Sequence, residues 1–412
     1  MTLSGMLFRP GQKRFTRLSL FAAVAVLLLV ISGLVVGLIL VHQPGSSAIG
    51  ANSHPTATAV LAALNIYALS RSGLVKLDTH TGKTLWTYSQ AAPSGPPTIV
   101  DGTVYFRPQN DAVYALNAQD GSLRWRSPLP GGNVSFPPAV ANGLVYVGGS
   151  FDATLYALDS TDGSVRWKAP TPAGEPFIPA VADGLVYVSA LTETSALYAF
   201  DAQTGALQWQ AQPLADQHFD SPRVVNGVVY LDSVSNSHHT TPEPHDAYLY
   251  AFDAKSGALL WHSQQFPSGD FGVFPPMITN GVVCFGAEDG FVYALDARTG
   301  THLWRHNTGS SLLPYALVDH GTVYLNDLIG NSAANLTALN IADGSVRWHS
   351  SRVGIPLAVA EGTLYLGADN VGRDANVTGI NVVDGATRWH TKMQAPAFFY
   401  GLPGGVRATV AP

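Results

Sequence analysis

Cysteine and charge are both scarce in this 412-residue chain. There is one cysteine, Cys284, so no internal disulfide can form. It sits in the apolar run Val282-Val283-Cys284-Phe285, where a buried strand residue is the expected role. Charged residues make up 12% of the chain and the formal net charge is -6. Beyond the first residues no Lys/Arg cluster appears, so the electrostatic footprint of a nucleic-acid binder is missing. Also missing are Gly-x-Ser-x-Gly, His-Glu-x-x-His and P-loop patterns, which removes the usual sequence marks of hydrolysis and phosphoryl transfer. What is plentiful is glycine and proline, 41 and 27 residues, a balance suited to an all-β chain with many tight turns.

One long apolar run stands out. Arg9, Lys13, Arg14 and Arg17 precede an uncharged stretch from Leu18 to Val41. As a helix it is long enough for a bilayer core of about 30 Å. The basic flank predicts a cytoplasmic N-terminus (1–17), a membrane anchor (18–41), a flexible linker (42–57) and an extracytoplasmic remainder (58–412). A cleavable signal peptide is the alternative, although Ala48-Ile49-Gly50 is a poor cleavage site.

The rest of the chain is a repeat. Leu155-Tyr156-Ala157-Leu158-Asp159, followed by Asp162-Gly163 and Trp167, returns as Leu197-Tyr198-Ala199-Phe200-Asp201, Thr204-Gly205 and Trp209. Further copies end at Trp86, Trp125, Trp261, Trp304, Trp348 and Trp389, which places every tryptophan on one repeat phase, 39–52 residues apart. Between them lie β-branched pairs joined by Asn-Gly or Asp-Gly, such as Val140-Ala141-Asn142-Gly143-Leu144-Val145, the strongest short hairpin signal. Asp159 and its counterparts Asp78, Asn117, Asp201, Asp253, Asp296, Asn340 and Asn381 suit a turn whose Asx side chain bonds backbone amides. Four strands per unit of this length predict an all-β, eight-bladed propeller. The innermost strand of the first blade has two candidate sources, Val60-Leu61 and Pro396 to Gly401, and a C-terminal strand there closes the ring.

The unit Ala-x-Asp-x-x-Thr/Asp-Gly-x-x-x-Trp resembles the tryptophan-docking repeat of pyrroloquinoline-quinone (PQQ) type propellers over roughly residues 58–401. The resemblance implies that each Trp packs between neighbouring blades, which its size and indole N–H suit. It also brings a possible activity, that of a quinoprotein dehydrogenase with PQQ and calcium on the axis. Such enzymes cover the cofactor with a disulfide of adjacent cysteines and floor it with a Trp. With one cysteine, and all eight Trp at the docking position, no cofactor is expected here. Non-enzymatic members of the family serve as scaffolds in outer-membrane protein assembly, with a lipidation cysteine that this chain lacks, or as extracytoplasmic sensors attached to Ser/Thr kinases. A binding scaffold or sensor, whose partners are envelope or surface proteins or a peptide or small ligand, is the resulting expectation.

Strand order predicts that the short Asn-Gly and Asp-Gly turns share one face. The loops of variable length share the other, where binding is expected. Candidate partner-binding residues on that face are Phe136, Phe177, Phe219, Phe274 and Tyr315, each near a Pro that opens an inner strand. The competing expectation is that these rings pack the strand starts. The repeat stretched to 52 residues carries His238, His239 and His245 with Glu243 and Asp246. They are candidate transition-metal ligands by type, but their spacing matches no standard zinc pattern, and a solvated loop is the expectation.

Overall fold

A computed structural model describes residues 39–42 and, with short interruptions, 64–398. Residues 1–38 lie outside the described residues. The greater part of the predicted anchor therefore lies outside them too. Its last residues belong to a strand, Ile39–His42, and not to a helix; an apolar β-branched run satisfies either pattern. Among the described residues no helix is long and apolar enough to cross a membrane.

The remainder is all β. Eight antiparallel sheets follow one another along the chain, each with a core of four strands in sequence order. Blade 3 shows the plan, with an inner strand Ala139–Ala141, then Leu144–Gly148, Thr154–Asp159 and the outer strand Val165–Pro170. Inner strands of successive blades lie side by side, as Ala139–Ala141 does between Thr98–Val100 and Ala180–Ala182. In blade 1 the inner position is shared. Ile39–His42 pairs with Leu64–Tyr67, and Ala397–Phe398 pairs with Leu69–Ser70. Ile39–His42 also lies against Ile355–Ala360 of the last blade, which closes the ring. Of the two candidates for this strand, the C-terminal segment is used, while Val60-Leu61 lies outside the described residues.

Alternation explains why these segments are strands. Leu144–Gly148, like Val282–Gly286 and Thr363–Gly367, is buried throughout because blades cover both faces of each middle strand, whereas Val165–Pro170 alternates exposed and buried at the rim. Each outer strand carries one extra residue just before its Trp. In blade 3 Ala157 pairs with Trp167 and Leu158 with Val165, so Arg166 is the bulge.

The turns on the short-loop face behave as their residues predict. Asp159 Oδ1 accepts the Thr161 amide at 2.8 Å, Asp201 Oδ1 the Thr204 amide at 2.8 Å and Asp296 Oδ1 the Thr299 amide at 2.8 Å. Asn142 and Asp183 hold φ of 51° and 49° ahead of a glycine, the backbone shape that Asx-Gly hairpins require.

At five junctions the docking of the tryptophan is a three-part clamp. Trp167 Nε1 donates to the carbonyl of Ala202 in the next blade at 3.0 Å, and Tyr146 Oη donates to the same oxygen at 3.1 Å. Gly205 lies flat on the indole, since a Cβ there would come within 2.6 Å of the Trp167 ring. The same carbonyl-sharing recurs with Tyr187 and Trp209 on Ala254, and with Tyr230 and Trp261 on Ala297. The motif glycine is thus fixed by close approach as well as by its φ of 72°. In blade 6 the tyrosine position is Cys284, wholly buried, and there Trp304 alone bonds Ile341 O at 2.8 Å.

Candidate functional site

The loops of variable length lie on the opposite face, and the rim residues of blades 3 to 5 there form the candidate site. Phe136 precedes Pro137 and Pro138, which are buried; the Pro138 carbonyl accepts Thr98 Oγ1 of blade 2 at 2.6 Å. Phe177 leads into the inner strand of blade 4, with its amide bonded to Ser189 O at 2.9 Å. Both rings are half-buried and meet edge to face, centroids 5.4 Å apart at 72°. Two consecutive blades therefore present one aromatic pair, held by backbone bonds on either side, with ring surface left to solvent.

Phe219, the next residue in the predicted series, is elsewhere. It is fully buried, and it packs edge-on to Tyr250 and Phe252 at 5.1 and 5.8 Å. It has no surface to present, so it is a packing residue of blade 5. The reason is that Gln217–Phe219 is itself a strand, paired with Ser233–Ser235, which turns the ring inward. Phe274 and Tyr315 lie outside the described residues, as do His238 and His239. His245 begins the strand His245–Asp253 and pairs with Ser268. The long insertion thus extends the middle strands of blade 5 and recruits Phe266–Ser268 beside them. Among the described residues no group of three or more His, Cys, Asp or Glu could hold a metal ion.

Beside the aromatic pair is a charged cluster that sequence reasoning missed. Asp232, in the second strand of blade 5, is 0% exposed, and neither carboxylate oxygen has a hydrogen-bond partner. Burial, reinforced by Asp220, pushes its carboxyl well above the usual range, while Arg223 pulls in the other direction. Asp220 is tied in by backbone, donating its amide to Asp232 O at 3.0 Å, while its own carbonyl accepts Ser189 Oγ at 2.7 Å. Glu175, half-buried on the lead-in to blade 4, is also raised, by desolvation. Such clusters of perturbed carboxyls concentrate at functional sites. One mark of the cluster was available in the sequence. Two residues after the middle-strand tyrosine stand Gly148, Ser189 and Gly367 in blades 3, 4 and 8, but Asp232 in blade 5.

The signature of the family described as outer membrane protein assembly factor BamB matches residues 70–176, 109–236, 152–273 and 245–398. The chain belongs to this family. Among curated relatives, BamB of Escherichia coli (strain K12) is 36% identical over 98 residues. That match spans 21% of this chain and 24% of the relative, about a quarter of its length. Among solved structures, BamB from Moraxella catarrhalis shares 20% identity with a TM-score of 0.54, over 74% of this chain and 91% of that one. The quinohemoprotein alcohol dehydrogenase of Comamonas testosteroni shares 16% identity with a TM-score of 0.55, over 74% of this chain and 68% of that one. Likeness at this level shows the fold alone.

The residues present do not fit a PQQ site. Seven indoles donate to carbonyls of the next blade, from Trp86 to Ala118 through Trp348 to Val382. The eighth, Trp389, packs on Tyr365 at 5.7 Å. No Trp remains to floor a cofactor, and the one thiol, Cys284, is buried inside a strand, its pKa raised by burial.

Proposed function

We propose that the chain is a membrane-anchored, extracytoplasmic scaffold or sensor that binds a partner protein or peptide on the variable face and carries out no catalysis. The half-buried Phe136–Phe177 pair carries this reading. Two apolar rings held in an edge-to-face pair, near a buried carboxyl without a hydrogen bond, suit a protein or peptide surface better than a reaction centre. The relatives' name places them in outer membrane protein assembly. The apolar segment that begins at Leu18 supplies the anchor, with the propeller held outside the cytoplasm.

A photo-reactive amino acid at Phe136, in the full chain in its own membrane, should yield a discrete adduct. The same group at Gln119, on the short-loop face, should not. Equal labelling at both positions, or none at Phe136, removes the reading. The enzymatic alternative, a PQQ-dependent dehydrogenase, is tested separately by incubation with PQQ and calcium. Dye-linked alcohol or sugar turnover would establish it, and none is expected.

A further inference from the structure

Eight nearly identical blade junctions make departures from the pattern conspicuous, and one junction departs at several independent points. It lies on the short-loop face between blades 7 and 8, away from the aromatic pair, and the inference does not rest on the partner-binding reading above. At five described inner turns the strand ends on Val, Ala or Thr followed by Asn or Asp: Val100-Asp101, Ala141-Asn142, Ala182-Asp183, Val225-Asn226 and Thr279-Asn280. Blade 7 instead ends on Asp319-His320, with His320 Nδ1 at 2.6 Å from Asp319 Oδ2 and the imidazole 85% exposed. Facing it from blade 8 is Val383, 79% exposed, at a turn position occupied in other blades by Gln119, Thr161, Gln203, Lys255 or Arg298.

The clamp is also looser there. Tyrosine hydroxyls reach the next blade's carbonyl at five successive junctions, from Tyr67 through Tyr230. At this one the Val382 carbonyl accepts Trp348 Nε1 at 2.9 Å and no bond from Tyr324. The bulge arginine differs likewise. Arg124 bonds Thr103 Oγ1 at 2.8 Å, Arg388 bonds Thr363 Oγ1 at 2.7 Å, and Arg166 grips Asp159 through two nitrogens. Arg347 makes one long bond, to Gly321 O at 3.3 Å, and leaves Thr322 Oγ1 alone. The groove here, open to solvent, measures about 500 Å³, against about 290 Å³ for the corresponding open groove between blades 2 and 3.

We propose that this junction is a binding site for an aliphatic carboxylate, either a free branched short-chain acid or the C-terminus of a peptide ending in an aliphatic residue. The Arg347 guanidinium meets the carboxylate with its unused nitrogens, a pairing whose planar fork matches the anion. His320 adds a ring N–H at the mouth and is bonded to Asp319, the carboxylate that lines the groove. Val359, Val382 and Val383 form the apolar wall, and the volume falls in the range of small-molecule sites.

The test uses the full chain in detergent, isothermal titration with isovalerate, its neutral isostere isovaleramide, and the tripeptide Gly-Gly-Val. Saturable isovalerate binding at millimolar concentrations is expected, with isovaleramide and Arg347→Gln each weakening it roughly tenfold or more. Val383→Ser, at an exposed site that cannot disturb folding, should weaken it less. Arg124→Gln in the smaller groove should leave it unchanged. A tripeptide that binds more tightly than isovalerate assigns the site to a peptide terminus, and the reverse assigns it to a free acid. Absence of saturable binding, equal binding of isovaleramide, or indifference to both Arg347→Gln and Val383→Ser overturns the proposal.

Discussion

The two faces of this propeller are made from the same strands, yet they are held together by different means. On the short-loop face seven described junctions repeat one device: an indole and, at five of them, a phenol donate to one carbonyl, with a glycine flat against the ring. There the indole N–H groups are paired across the junction, and the aromatic surface is spent on the neighbouring blade. On the variable face no such repeat exists. Phe136 and Phe177 meet each other and keep exposed surface, Phe219 is sunk in a core, and Asp232 is buried with unmatched oxygens. The repeating face is where aromatic surface and hydrogen bonds are used up between blades, whereas the face where the repeat lapses keeps half-exposed or unsatisfied groups, which retain interaction free energy for a partner.

Truncating aromatics on the two faces separates them most sharply. Trp167→Ala should cost about 3–5 kcal/mol in urea unfolding, and Phe219→Ala a similar amount, as for other buried large-to-small changes. Phe177→Ala should cost on the order of 1 kcal/mol, because part of its ring surface is already in water. A Phe177 cost equal to that of Trp167 would erase the distinction between the faces.

Two glycines on the short-loop face refine it. Gly205 and Gly184 hold φ of 72° and 78°, so alanine is strained at both. Only at Gly205 does a Cβ meet an indole, at 2.6 Å, whereas nothing lies within 4 Å at Gly184. Gly205→Ala should therefore lose about 1–3 kcal/mol more than Gly184→Ala in paired thermal melts.

Asp232 tests the opposite face by titration. Burial lifts its folded-state pKa above the value of about 3.9 in the unfolded chain, so the folded protein holds this proton more tightly. The associated stability is complete below the unfolded value and is lost as pH rises through the folded one. Asp232→Asn should accordingly stabilise the protein by about 1–2 kcal/mol at neutral pH. The gain should shrink toward zero as pH falls below about 4. A gain that grew on acidification would mean that the ionised carboxylate is the stabilising form.

The smallest effect concerns the shared carbonyl. Tyr146→Phe removes one of two donors to Ala202 O while Trp167 keeps it satisfied, so the loss should be about 0.5–1 kcal/mol. Blade 6 already lives with this arrangement, through Cys284.

Much of the architecture was legible because a blade is a local object. Strand alternation, Asx-Gly turns and the spacing of Trp167 from Asp159 all act within one repeat, and eight copies fixed the number of blades. The bulge at Arg166 was not legible, since three residues between Gly163 and Trp167 fit a regular strand as well as a bulged one; pairing with Ala157 decides it. The carbonyl clamp was legible in half, as a tryptophan in need of a partner, without showing that Tyr146 would claim the same oxygen from the same side.

By itself, then, the sequence determined the eight-bladed all-β ring, the docking role of its tryptophans and the positions where only glycine serves. These follow from backbone preferences and short-range pattern, which neighbouring blades can only reinforce. Tertiary structure alone decided that Phe136 and Phe177 meet while Phe219 is buried, that the Asp232 carboxyl loses water without gaining a hydrogen bond, and that Ile39–His42 and Ala397–Phe398 share one edge of blade 1. Each of those outcomes depends on which segment from a distant part of the chain arrives alongside, and burial is a property of that meeting and not of the residue.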